Sequence, residues 1–198
     1  MNKSNEKGIL NNLVEIAIKS GASEASIIPS TNIIVREDLA NLCQNDPKCE
    51  NYGMSYSCPP YVQGPSGFRE WQKKSRYAIV LKIDIPSSVM FSNERREVMQ
   101  LLTEIASTVE HKSIEMGYTE SKAFSGGSCK NLFCSDYETC QRISDQGKCR
   151  NPQVARPSMS GFGIDVTQLM HSAGWSAKKA NSKDSESMTW LAALVLII

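Results

Sequence analysis

Seven cysteines fall in two tight groups, and this distribution limits what the chain can be more than any other feature. Cys129, Cys134, Cys140 and Cys149 lie within 21 residues, with four, five and eight residues between successive thiols. Cys43, Cys49 and Cys58 repeat the last two intervals, so C-x5-C-x8-C occurs twice, and a proline follows each copy at Pro59 and Pro152. Cysteines that serve only as small hydrophobes should be scattered over strands and helices. Gathered in loops with glycine, proline and charge, thiols point to a metal. The odd number argues against a closed disulfide framework.

Two kinds of metal centre suit these intervals. Structural zinc takes cysteines in close pairs, two to four residues apart, and only Cys129 and Cys134 meet that spacing. An iron–sulfur cluster is larger and can be reached from longer loops, and prolines near ligating cysteines are a ferredoxin trait. The intervals of four, five and eight favour [4Fe–4S], in one copy or two, and leave zinc as the alternative. By ligand count, Cys129, Cys134, Cys140 and Cys149 form a closed site. Cys43, Cys49 and Cys58 form an open one, unless Asp46 or a distant residue closes it or all seven share one assembly. Lys130, Arg142, Lys148, Arg150 and Arg156 favour thiolates and offset a ligated cluster's charge, opposed by Asp136, Glu138 and Asp145. Tyr52, Tyr56 and Tyr61 flank the first group. His111 and His171 fall on helical segments and are left out of the site.

Along the chain, helical spacing predicts helices over 8–20, 36–42, 66–75, 93–116 and 165–173. The longest carries a stripe of Val98, Leu101, Leu102, Ile105, Val109 and Met116. Residues 76–85 read as a central strand covered on both faces, because Tyr77 to Leu81 is continuously apolar. Two short strands around a turn are expected over 25–35, another over 119–124, and two terminal strands over 175–180 and 188–198 across a polar turn at 181–187. The fold class is α/β (α+β): a mixed sheet with packed helices, in one metal-binding domain over 1–198, the two cysteine-rich loops converging at one end of the sheet.

Three segments, Tyr52-Gly53-x-x-Tyr56-Ser57-Cys58-Pro59-Pro60, the Cys129/134/140/149 series, and Arg156-Pro157-Ser158-Met159 followed by Gly163-Ile164-Asp165-Val166, together resemble domain of unknown function 2284, a family of predicted metal-binding proteins. The resemblance extends from Leu10 to Ile198. It implies a cysteine-ligated metal, an iron–sulfur centre, in a cytoplasmic protein, and it brings no reaction with it. Relatives carry a cysteine before the Gly-Ile-Asp segment, where this chain has Phe162, which leaves the first group one ligand short.

A net charge of +1 gives no field for nucleic acid. The strongest apolar run, 190–198, is about half the ~20 residues a membrane helix needs. The N-terminal segment lacks a signal-peptide apolar core, and reduced thiols suit the cytoplasm. With no Rossmann or P-loop glycine pattern, the expected role is an electron carrier or accessory protein for a redox partner. The alternative is a zinc-stabilised interaction module. Arg156, fixed beside Pro157, is the candidate for holding the cofactor or an anion, or for pairing with Asp165.

Overall fold

The computed structural model describes residues 3–145, 147–178, 180–181 and 184–198. In chain order its elements are α1 (Lys3–Lys19), β1 (Glu24–Pro29), α2 (Glu37–Asn41), α3 (Gly64–Lys74), β2 (Tyr77–Pro86) and α4 (Ser87–Met90). There follow α5 (Arg95–Glu115), β3 (Lys122–Phe124), α6 (Cys129–Phe133), α7 (Gln141–Ser144), α8 (Val166–Ser172) and β4 (Met188–Ile197), with 3₁₀ turns at Ser30–Asn32 and Met159–Phe162. The class is mixed α+β.

The four strands form one antiparallel sheet in the order β1-β2-β4-β3. Alternate residues of β2 and β4 serve opposite faces, and the register Ile79↔Val195, Leu81↔Ala193, Ile83↔Leu191 aligns them. These six join Leu13 and Ala17 of α1 and Leu102, Ile105 and Val109 of α5 in one core. Ala78, Val80, Leu194 and Leu196 face the other way, onto Phe68, Phe162, Leu169 and Met170. Tyr77–Leu81 of β2 and Trp190–Ile197 of β4 are therefore continuously apolar, as a doubly covered stretch must be. Phe68, Phe124 and Phe162 meet at ring-centroid distances of 5.1–6.2 Å under Trp71, so Phe162 is a core residue of this second layer.

Two expected strands are replaced by other structure. After β1 the chain turns through Ser30–Asn32, and Val35 makes only an isolated bridge to Ile164. The β-branched residues there are held by tertiary contacts: Ser30 Oγ donates to the Ser75 carbonyl, and Gln72 Nε2 donates to the carbonyls of Ser30 and Ile33. Residues 175–178 and Ala180 form no strand; Trp175 instead sits against Lys82, 5.5 Å from ring centroid to Nζ. The turn expected at 181–187 includes Ser182 and Lys183, which lie outside the described residues. Leu101, placed in the apolar stripe of α5, is 41% exposed.

Candidate metal centre

Cys58 and Cys129 lie where three segments, 55–59, 125–129 and 157–159, are laced together after β3. Ser125 leaves β3 and donates its N–H to the Pro157 carbonyl (3.0 Å), while Met159 N–H returns to the Ser125 carbonyl (2.8 Å). Ser158 N–H donates to the Ser57 carbonyl (3.2 Å), which ties the Arg-Pro-Ser-Met segment to the Cys-Pro-Pro segment. Thr103 on α5 fixes the junction from below, its hydroxyl 2.8 Å from Ser125 Oγ. Buried serines complete the link. Ser128 Oγ donates to Ser55 Oγ at 3.1 Å, Ser55 and Ser57 hydroxyls lie 2.9 Å apart, and Cys129 N–H donates to Ser57 Oγ at 3.4 Å. The first cysteine loop thus meets the second through side chains on positions 55, 57 and 128. Gly163 is required nearby: at φ 69° its backbone passes Arg36 so closely that a Cβ would lie 2.1 Å from the Arg36 carbonyl oxygen.

All seven thiols are free. Cys129, Cys140 and Cys149 line a cavity of about 380 Å³, together with Tyr56, Arg142 and Arg156. Burial pushes the Cys129 thiol up to about 11; the charges of Cys149, Cys58 and Cys140 add to this, and a hydrogen bond with Ser57 opposes it. Cys58 is buried and comes from the other loop. Cys134 accepts a hydrogen bond from Asn151 Nδ2 (3.1 Å) and is not on the cavity wall. Cys43 is half-buried and raised by burial, then by the charges of Cys49 and Cys58; Cys49 is exposed. The charge of Cys58 reaches Cys129 in the second loop and Cys43 in its own, and Cys58, like Cys134, is not on the cavity wall. Cys134, which the spacing groups with Cys129, Cys140 and Cys149, stands against Asn151. Among the described residues, no three His, Cys, Asp or Glu side chains gather closely enough to clasp a single ion.

Arg156 is buried on the same wall. Its Nη2 meets Glu110 Oε2 at 2.5 Å and His111 Nε2 at 2.9 Å, and its Nη1 donates to the carbonyls of Pro152 and Ala155. A guanidinium only donates, so His111 Nε2 takes the acceptor role. Asp165, the partner considered from sequence, pairs with Arg36 at 3.4 Å and caps α8 through the Gln168 N–H. One group is left over: the buried Nε–H of Arg156 has no partner among the described residues. Glu110 and His111 were not legible as parts of this site, since they sit 46 and 45 residues from Arg156 on a helix read for its apolar stripe.

Arg142 stacks over Tyr56 (4.0 Å), whose ring lies parallel to Tyr61 at 6.2 Å, and Arg150 stacks over Tyr137 (4.1 Å). Lys130, next to Cys129, is buried. Cations and aromatic rings thus surround the thiols, while Asp136 and Glu138 are exposed. Among the described residues, no helix is long and apolar enough to cross a membrane.

No curated protein and no solved structure matches the chain. A family model does, over residues 26–197, a span that takes in every cysteine, the buried serine link and Arg156. This chain belongs to the domain of unknown function 2284 family of predicted metal-binding proteins.

Proposed function

We propose that this protein binds an iron–sulfur cluster through Cys58, Cys129, Cys140 and Cys149 and passes single electrons to a protein partner in the cytoplasm. The cavity carries this reading. Three thiols from one loop stand on its wall, and the fourth comes from the other loop into charge range of Cys129. A space of about 380 Å³ suits a multi-iron cluster better than one zinc ion, which draws its ligands to ~2.3 Å.

The donor set fits the group. Arg156 lines the wall and keeps one buried N–H, at Nε, without a partner among the described residues. The charges of Arg156, of Arg142 on the wall and of buried Lys130 beside Cys129 offset the negative charge that four thiolates bring. Glu110 and His111 hold Arg156 in place, and Arg156 in turn holds the carbonyls of the chain just after Cys149. A bound cluster supplies one-electron storage; the chain supplies ligation, burial and hydrogen bonds that set its potential. Seven free thiols accord with a reducing compartment.

The test is spectroscopic. Protein isolated without oxygen should bleach on addition of dithionite and develop the electron paramagnetic resonance of a one-electron-reduced cluster. Protein that is colourless and silent after reduction contradicts the proposal.

A further inference from the structure

With Cys58 assigned to the proposed cluster, Cys43 and Cys49 remain as a pair, and the inference rests on the proposed ligand set in that respect alone. Cys43 lies two residues beyond α2 (Glu37–Asn41), with its N–H on the Ala40 carbonyl at 3.2 Å. The chain then doubles back, and Cys49 N–H donates to the Cys43 carbonyl at 3.3 Å. A main-chain hydrogen bond between two residues brings their Cα atoms into the span a disulfide bridges, roughly 4.4–6.8 Å. A second bond, Tyr52 N–H to the Cys49 carbonyl at 2.9 Å, fixes the far side of this turn. Cys49 is exposed and Cys43 half-buried behind it. Neither thiol lines the cavity.

We infer that Cys43 and Cys49 are a redox-active dithiol that exchanges with low-molecular-weight aliphatic disulfides at the surface beside the metal centre. The exposed thiolate of Cys49 attacks one sulfur of the disulfide RS–SR. A Cys49–SR bond forms, the S–S bond of the reagent breaks, and RS⁻ leaves. The Cys43 thiolate then attacks the Cys49 sulfur, forming Cys43–Cys49 and expelling the second RS⁻. The two protons lost by the cysteines appear on the two released thiols. The pair is oxidised by two electrons and the reagent reduced by two. The order follows from access, because Cys49 is the exposed residue of the pair and Cys43, joined to it by the main-chain hydrogen bond, is half-buried.

The experiment treats the full chain, as isolated without oxygen, with excess 2-hydroxyethyl disulfide. Remaining thiols are then alkylated, and the peptides are mapped by mass spectrometry alongside iron analysis. The expected result is a Cys43–Cys49 disulfide in most chains, about two equivalents of released thiol, and unchanged iron. Cys43→Ser should stop at a mixed disulfide on Cys49 with about one equivalent released, and Cys49→Ser should abolish the fast release. Recovery of both residues as alkylated free thiols overturns the inference. So does their reaction only in step with loss of iron, which would make them ligands. If the protein holds no iron, the pair still closes, so failure of the cluster proposal and failure of this one give different results.

Discussion

At the scale of single residues, the site turns on which thiols share charge. A Cys129 thiol raised to about 11 keeps its proton in the folded, metal-free protein at pH values where an unfolded cysteine, near 9, has lost it. Below about pH 9 both states hold the proton and the contribution is constant. Between pH 9 and 11 the folded state binds more protons than the unfolded, so stability falls as pH rises, by about 2–3 kcal/mol across the window. Denaturant melts of the metal-free protein at pH 8.5 and 11 read this directly, and Cys129→Ala should flatten the slope. Ligand identity has its own test. Cys58→Ala should lose the metal bound by anaerobic wild type, whereas Cys134→Ala should keep it and lose only the Asn151 hydrogen bond. Retention by the first and loss by the second would return the ligand set to the one sequence spacing favours. Sequence spacing groups cysteines by nearness along the chain, and so Cys58 falls with Cys43 and Cys49. Its approach to Cys129 depends on serines 55, 57 and 128, ordinary loop residues with no periodicity to mark them.

Among the elements, those set by local pattern were legible: α5 from its 3.6-residue repeat, and β2 and β4 from apolar runs that only a doubly covered strand supports. Elements decided by distant partners were not. Residues 33–35 are β-branched, yet the contacts of Gln72 and Ser75 hold the neighbouring turn. Trp175 leaves the expected strand to cover the Lys82 ammonium, itself paired with Glu24 and Asp84 at 2.8 and 2.7 Å. The same dependence on partners sets two predictions. Glu110 and Arg156 side chains are 12% and 8% exposed, so Glu110→Ala strands a buried guanidinium and should cost about 3–5 kcal/mol. Arg36→Ala removes only the half-exposed partner of Asp38 and Asp165 and should barely move the melting temperature. Thermal melts of the two variants should differ accordingly, and equal losses would remove the structural role assigned to Arg156. Gly163→Ala, forced into a left-handed backbone against the Arg36 carbonyl, should cost about 1–3 kcal/mol or more.

For the molecule as a whole, a doubly covered antiparallel sheet supplies a rigid base, and the junction of residues 125–129, 55–59 and 157–159 is built upon it. Helix α5 serves both, packing Leu102, Ile105 and Val109 on the sheet while Thr103, Glu110 and His111 hold the junction and Arg156. Folding and metal uptake should therefore be separable: the cores do not depend on the thiols, so chelation should remove metal while the far-ultraviolet circular dichroism persists. A zinc-dependent module would unfold instead. Iron and acid-labile sulfide per chain, measured in protein isolated without oxygen, decide whether these thiols hold a multi-iron cluster. About four irons with matching sulfide are expected; iron-free protein carrying stoichiometric zinc rules the cluster out.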